Sequence, residues 1–388
     1  MTDTINTKKP IRIILTGGGT GGHLYPALSM AKTVVSESPH SDILFIGTAD
    51  RLEAKKVPEA GFAFAAINIH GIAGRRKTLK SLLSQIRGIL EFVSGYAIFQ
   101  SKKIIKKFCP QIVVGTGGYV CGPVLYAAHK LKIPTIILEQ NNIVGKANRF
   151  AASFVDMAIA CSPEAGKYFE GKGVKTVYSG NPIRPEILAA TKEASSIALN
   201  INPNKKTLSV FGGSLGSTPI NEALGKSLLE LAKCEWFLEN WQVVHITGPS
   251  RGNDDTTIEL IKEAGVEYYP QLYRDDIENV IGATDFAITR AGATFLSELS
   301  AVGMPMIIIP WSGAANDHQT ENAMPFLKNG AAKIISDAEL NAKRLTEELC
   351  NILNDEEKIA QMALRSRELG KPNAAKEILD YIYKIIEG

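Results

Sequence analysis

Short apolar, β-branched runs recur along this chain, and several of them end at glycine. Residues 11–16 read Ile-Arg-Ile-Ile-Leu-Thr and lead straight into Gly-Gly-Gly-Thr-Gly-Gly-His at 17–23. The beat returns at 42–47, 112–116, 135–139 and 157–160, then at 207–211, 242–247, 286–289 and 306–310. Helix-length segments, such as 25–36 and 124–131, lie between. Buried strands alternating with helices imply βαβ units, because a parallel neighbour is reached only by a crossover. The expected fold is α/β with parallel sheets, and ligands in such sheets bind beyond the C-terminal strand ends. Five glycines within residues 17–22 leave the backbone there bare at the start of a helix, where N–H groups can approach an anion or a sugar.

A length of 388 residues exceeds one typical core and predicts two domains. The boundary falls at Ser179-Gly180-Asn181-Pro182-Ile183-Arg184-Pro185, followed by a polar stretch at 191–206. Two Rossmann-like halves result, 1–183 and 184–371. In the tail, 372–388, Ala375, Ile378, Leu379, Ile382, Ile385 and Ile386 sit at helical spacing, so that helix must bury a face. With 45% apolar and 21% charged residues the chain is an ordinary globular protein. No apolar run reaches membrane-spanning length, and the polar first ten residues predict no secretory signal. Five scattered cysteines without CxxC spacing argue against a disulfide or zinc framework and fit a reducing cytoplasm.

The net charge of +3 conceals a local excess: residues 71–110 hold nine Lys/Arg against one acid, Glu91. Within it, Leu79, Leu82, Leu83, Ile86, Leu90 and Val93 follow helical spacing beside Arg75, Arg76, Lys77, Lys80 and Arg87. That pattern describes either a basic amphipathic helix on an anionic lipid surface or a core helix with a solvated basic face.

Gly17, Gly19 and Gly22 satisfy GxGxxG, the dinucleotide fingerprint, which alone would suggest a nucleotide-dependent oxidoreductase. The acid expected at the end of the second strand is poorly matched, since Gly47-Thr48-Ala49 precede Asp50. Moreover, glycines recur at other strand ends: Gly117-Gly118-Tyr119, Gly212-Gly213-Ser214-Leu215-Gly216 and Arg290-Ala291-Gly292-Ala293. Several such loops suit two bulky ligands, one of them a diphosphate. Ser214 is placed either to hold a phosphate or to cap a helix. Arg184 could clamp a diphosphate or make a surface ion pair, and Glu298 could accept ribose hydroxyls or lie on a solvated helix face.

In order along the chain, Gly18-Gly19-Thr20-Gly21-Gly22-His23, Gly117-Gly118-Tyr119-Val120-Cys121-Gly122-Pro123, Glu139-Gln140-Asn141, Gly180-Asn181-Pro182-Ile183-Arg184, Gly212-Gly213-Ser214, Arg290-Ala291-Gly292-Ala293 with Glu298, and His318-Gln319 with Asn322-Ala323 resemble the MurG family of N-acetylglucosaminyltransferases. The resemblance covers nearly the whole chain. It implies a GT-B fold, two Rossmann-like domains facing a cleft, with the last helix returning to the first domain. It implies UDP-N-acetylglucosamine as donor and lipid I as acceptor, with lipid II as product. Ser214 and Arg184 would then lie near the donor diphosphate, Glu298 on the ribose, and Ala293, Thr294, Phe295, Leu296 and Ser297 along the pocket. The backbone around Arg274 would meet the uracil. Thr20, Gly21, Gly22, Asn141 and Gln319 would face the sugar or reacting centre, and Gly18, Gly19, Gly117, Gly118 and Tyr119 would form the acceptor and diphosphate loops. Ala291, Phe295, His318 and Arg274 depart from residues common in the family.

An α-linked donor and a β-1,4 product imply inversion by one in-line displacement, which needs a base on the acceptor 4-hydroxyl. His23 is the first candidate, since a histidine's ordinary pKa of about 6.5 suits proton abstraction at neutral pH; Glu139 is the second. The alternative role for His23 is a sugar-orienting hydrogen bond with no proton transfer. No Asp-x-Asp occurs, so charge on the leaving UDP is expected to fall on helix N-termini, loop amides and Arg184, with no metal or other cofactor required. The resemblance further implies a peripheral enzyme at the cytoplasmic face of the plasma membrane. Its partners would be an anionic membrane surface and other peptidoglycan-synthesis and division proteins, with no nucleic acid. Another GT-B transferase with a glycolipid acceptor, a nucleotide-dependent oxidoreductase, and a non-catalytic nucleotide-sugar-binding protein are the remaining alternatives.

Overall fold

A computed structural model describes residues 8–69, 95–213, 215–249 and 255–388. The chain divides into two compact units, Met1–Pro185 with Asn373–Gly388, and Glu186–Pro372. Arg184 and Pro185 thus fall in the first unit rather than opening the second.

The first unit is built on a seven-stranded sheet, with all described pairings parallel: β1 (Arg12–Thr16), β2 (Asp42–Gly47), β3 (Ala63–Ala66), β4 (Ile112–Gly115), β5 (Thr135–Glu139), β6 (Met157–Ala160) and β7 (Lys175–Tyr178). The order is β3-β2-β1-β4-β5-β6-β7, so strand order reverses between β1 and β4. β4 and β5 are buried throughout, which is why they read as unbroken apolar runs.

Helices Gly21–Glu37 and Ala374–Ile386 cover one face of this sheet. Ala375, Ile378, Leu379 and Ile382 of the terminal helix share a core with Leu24, Met30 and Ile13. An ion pair between Lys376 and Glu37 at 2.9 Å and a hydrogen bond from the Tyr383 hydroxyl to the Lys9 carbonyl fasten that helix at its edges. Helices Tyr96–Phe108 and Cys121–Lys130 cover the other face, with Ile105, Val124 and Leu125 buried.

The second unit carries a six-stranded parallel sheet: β8 (Lys206–Phe211), β9 (Trp241–Ile246), β10 (Tyr268–Gln271), β11 (Phe286–Thr289), β12 (Met306–Ile308) and β13 (Ala332–Ile334). Its order, β10-β9-β8-β11-β12-β13, reverses between β8 and β11. A buried polar chain ties β9 to its neighbours. The His245 imidazole accepts from the Tyr268 hydroxyl at 2.7 Å and donates through Nε2 to Asn221 Oδ1 at 3.0 Å. Asn221 Nδ2 in turn donates to the Thr247 carbonyl at 3.1 Å. Burial pushes the His245 pKa down to about 3, so the ring is neutral.

Candidate active site

In a doubly wound sheet, the crevice where strand order reverses is the ligand position. At the β1/β4 reversal of the first unit, loop 17–20 and residues 116–119 emerge side by side. They meet so closely that side chains are excluded. A Cβ on Gly118 (φ +82°) would stand 2.4 Å from the Gly18 carbonyl oxygen, and one on Gly17 would stand 1.9 Å from Thr116 Oγ1. The Tyr119 ring covers Gly19 from the side, 3.3 Å from where a Cβ would be, and its buried hydroxyl has no hydrogen-bond partner among the described residues. Thr20 is the N-cap of helix Gly21–Glu37, whose first turn carries no acidic side chain. Thr20 and Gly22 are exposed, so the positive end of that helix faces outward.

His23 stands where the two loops meet. Its Nδ1–H donates to the Thr116 carbonyl at 2.9 Å, with Gln140 Oε1 at 3.2 Å, while the Thr116 hydroxyl donates back to the His23 carbonyl at 2.7 Å. Both partners of Nδ1 are oxygen acceptors, so Nδ1 carries the hydrogen and the neutral ring keeps its lone pair on Nε2. Gln140 is set in turn by its own Nε2–H to Leu138 and by Asn181 Nδ2–H on its carbonyl.

Glu139 is arranged differently from a free base. Its Oε1 accepts from the backbone and side-chain nitrogens of Asn141 at 2.9 and 3.2 Å. Its Oε2 accepts from Gly145 N at 2.9 Å and Asn148 Nδ2 at 2.8 Å. Four donors on a carboxylate that is 1% exposed fold the 140–148 loop around it and thereby position Asn141. Neither the Cys121 nor the Cys161 thiol is poised as a thiolate. Burial raises both thiols to about 12, aided at Cys161 by the charge of Glu139.

One acid escaped the sequence reading. Asp50 is exposed and, among the described residues, pairs with Arg51, whereas Glu53, three residues on, is 1% exposed beneath the first glycine loop. It accepts from Gly19 N at 3.0 Å, Thr48 N at 3.2 Å and Thr48 Oγ1 at 2.8 Å. Its carboxylate serves its own backbone and offers nothing to a ribose. The signal lay in Gly18 and Gly47, where an added Cβ would come within 2.4 and 2.6 Å of the Glu53 side chain.

Arg184, also in the first unit, lies with its guanidinium 4.6 Å from the Tyr25 ring centroid. Tyr25 packs on Gly21, where a Cβ would be 3.0 Å from the ring.

The second unit repeats the arrangement at its β8/β11 reversal. Loop 212–217 follows β8, with Gly213 at φ +86° and Gly216 at φ +73°; a Cβ on Gly216 would stand 2.2 Å from the Thr247 carbonyl oxygen. Ser214 lies outside the described residues, as do Arg75, Arg76, Lys77, Leu79, Lys80, Leu82, Leu83 and Ile86 of the basic stretch. Arg290, 8% exposed, joins the loops at this edge. It donates to Ser217 Oγ at 2.7 Å and the Ile309 carbonyl at 3.1 Å, and pairs with Asp337. Asp337 also accepts from Ser312 N and Oγ at 2.9 and 3.0 Å. Burial pushes the Asp337 carboxyl up, but Arg290 and Ser312 outweigh it and hold it below its ordinary range.

Helix Ala293–Ala301 starts beside this edge, behind Gly292, over which a Cβ would meet nothing within 4 Å. Helical period divides the expected lining run 293–297 between the core and the surface. Leu296, 1% exposed, belongs to the core with Leu299, and Phe295 packs edge-on against Phe211 with centroids 4.9 Å apart. Ala293, Phe295 and Ser297 remain partly exposed, and Thr294 and Glu298 are buried one turn apart. Gln319 Oε1 accepts from Ala291 N at 3.2 Å and Trp311 N at 2.9 Å, leaving its amide nitrogen as the donor for a ligand. After β10, Arg274 is gripped by Asp276 through Nε and Nη2 at 2.8 and 2.6 Å and by Gln271 at 3.1 Å. That pairing holds the Asp276 carboxyl down at about 2, and it commits the Arg274 side chain to shaping its own loop. Among the described residues, no cluster of three or more His, Cys, Asp or Glu is placed to hold a metal, and no helix is long and apolar enough to cross a membrane.

Two units, each with a parallel α/β sheet and glycine loops at its strand-order reversal, have the architecture of the GT-B fold. Residues 13–160 match the glycosyltransferase family 28 N-terminal domain, and residues 207–378 match its C-terminal domain. The UDP-N-acetylglucosamine–N-acetylmuramyl-(pentapeptide) pyrophosphoryl-undecaprenol N-acetylglucosamine transferase of Listeria monocytogenes serovar 1/2a is 37% identical over 379 residues, 97% of this chain and 100% of that protein. The enzyme of that name from Bacillus cytotoxicus is 35% identical over 381 residues, 97% of this chain and 100% of the relative. The crystal structure of Acinetobacter baumannii MurG superposes with a TM-score of 0.72 at 24% identity, covering 97% of this chain and 100% of that one. The chain belongs to glycosyltransferase family 28 and, within it, to the MurG family of N-acetylglucosamine transferases.

Proposed function

We propose that this chain transfers N-acetylglucosamine from UDP-N-acetylglucosamine to the 4-hydroxyl of the N-acetylmuramyl-pentapeptide of lipid I, with inversion, giving lipid II for peptidoglycan synthesis. The observation that carries the residue-level reading is His23. Its Nδ1–H is bound to the Thr116 carbonyl, so the neutral ring offers the Nε2 lone pair at the strand-order reversal. His23 takes the proton from the acceptor hydroxyl as the C–O bond to the sugar forms and the bond to UDP breaks. Glu139 positions Asn141 rather than acting as base.

In the first unit, Gly18, Gly19, Gly117, Gly118 and Tyr119 shape the acceptor side and Thr20, Gly21, Gly22 and Asn141 face the reacting sugar; in the second unit, Gln319 is assigned to the donor sugar. In the second unit, loop 212–217 with Ser214 receives the donor diphosphate; in the first, Arg184 is the cation assigned to diphosphate charge. Glu298 takes the ribose, Ala293, Thr294, Phe295 and Ser297 line the pocket, and the backbone at Arg274 meets the uracil. Helix N-termini and loop amides carry the leaving charge, so turnover needs no divalent metal and survives chelator. The basic stretch 75–87 holds the enzyme peripherally on anionic lipid at the cytoplasmic face of the membrane.

The test is UDP release with a soluble lipid I analogue. His23→Gln is expected to lower kcat by about 10²–10⁴-fold, the usual worth of a general base, with UDP affinity within twofold. Near-wild-type turnover of that variant would sink the assignment.

A further inference from the structure

We propose that Glu53 is a positioning residue that sets the conformation of the 17–22 glycine loop and, through it, the placement of His23. The inference rests on the reading of that loop as part of the acceptor and transfer site.

Glu53 is a carboxylate 1% exposed, and among the described residues no cation pairs with it. Such a charge is held by hydrogen bonds alone, and each must be good. Three donors supply them. Thr48 gives its N–H and hydroxyl to Oε1, and Gly19 gives its N–H to Oε2. The side chain occupies a slot cut by two glycines, since a Cβ on Gly18 would stand 2.4 Å from its carboxyl and one on Gly47 would stand 2.6 Å from its Cγ. It therefore joins the end of β2 to the loop after β1 and turns the Gly19 N–H inward. With Gly19 at φ +84° held from below, the next residues enter helix Gly21–Glu37 with their N–H groups outward, and His23 reaches Thr116. A neutral amide cannot replace the carboxylate. Glutamine has one acceptor oxygen, so its NH2 would face either the Gly19 N–H or the Thr48 donors, setting donor against donor.

The test uses the full chain, UDP-N-acetylglucosamine and a soluble lipid I analogue. Three readouts are taken on Glu53→Gln: acceptor kcat/KM, UDP affinity by calorimetry, and hydrogen exchange in a peptide spanning residues 13–24. Expected are a fall in kcat/KM on the order of 10–100-fold, exchange in the loop faster by about tenfold, and UDP affinity within twofold. Unchanged kcat/KM overturns the proposal, and so does lost activity with unchanged loop exchange, which would show that Glu53 acts elsewhere. Faster loop exchange with UDP affinity falling in step with turnover would support the role of Glu53 and sink the acceptor-side reading instead. Should Glu53→Gln fail to fold, Thr48→Ala removes one of the three donors and keeps the carboxylate. It should shift kcat/KM and exchange the same way by roughly 3–10-fold, and wild-type values for both would overturn the proposal.

Discussion

Gly117→Ala isolates the placement of the His23 ring. The added Cβ would stand 2.6 Å from Nδ1 and 2.8 Å from Cε1, at a backbone φ of +104°. Ordinary contact begins at 3.4 Å, so the ring must retreat by about 0.8 Å or more, and the 2.9 Å bond that fixes its tautomer breaks. A displacement of about 1 Å at a reacting group costs on the order of 10²-fold in rate. Stability falls as well, by about 1–3 kcal/mol for a non-glycine residue at this φ and about 1–3 kcal/mol for overpacking. Gly173→Ala is the matched control, because Gly173 also has positive φ (+75°) but an added Cβ there meets nothing within 4 Å. Urea unfolding and UDP release under saturating substrates separate the two effects. The control should lose only the backbone contribution and keep its turnover. If Gly117→Ala retained turnover within about threefold of Gly173→Ala, the claim that His23 works through this geometry would be refuted.

His245 makes the second unit acid-sensitive. Its folded pKa, at about 3, lies below the ordinary 6.5, so the unfolded chain takes up the proton first. Stability should therefore decline as pH falls from about 6.5 toward 3, by at most about 1.4 kcal/mol per pH unit. His245→Leu should be less stable at pH 7 yet flatter below 6.5 in thermal melts, and parallel profiles would contradict this. Asp276→Asn loosens the Arg274 loop and should weaken UDP binding about two- to tenfold by calorimetry. In the wild type that loop should hold down to about pH 4 and loosen only as Asp276 protonates toward 2. Glu139→Gln should cost about 1–3 kcal/mol of stability by turning an NH2 onto donors, while the acidic limb of the pH–rate profile stays in place. A shifted limb would make Glu139 the base. Finally, UDP should slow hydrogen exchange in a peptide spanning 208–220 and leave 13–24 unaffected; protection of 13–24 alone would reverse the assignment of the loops.

The strands that the sequence did not announce are β3, β7, β10 and β13, and each is the edge of its sheet. Interior strands are buried on both faces and read as continuous apolar runs. β3 and β7, by contrast, have exposed ends and only half-buried centres, so nothing distinguishes them from loops. The glycine loops were legible for the opposite reason, since the close approach of Gly18 to Gly118 admits no other residue. Side-chain roles within a helix were not legible from order alone. Residues 293–297 are contiguous, but the helical turn sends Leu296 into the core. Glu139 and Arg274 carry the charges a ligand site needs, yet both are claimed by neighbours that only the folded loops reveal.

The two reversal loops are alike in sequence and differ in what stands behind them. Behind 212–217, the charge of Arg290 is matched by Asp337, so the backing is close to neutral and an anion above it meets loop amides and a helix start. Behind 17–19, Glu53 is negative with no paired cation among the described residues, and it has already taken the Gly19 N–H. A unit charge about 7 Å away at an effective dielectric of about 20 is worth roughly 2 kcal/mol. That repulsion offsets much of what the start of helix Gly21–Glu37 offers an anion. A doubly charged nucleotide diphosphate is thus better served by the second loop, and the first is better suited to the neutral hydroxyls of a sugar. A dinucleotide fingerprint read from glycine spacing alone misses this distinction, because the residue that decides it lies on another element, the helix Leu52–Glu59 that follows β2.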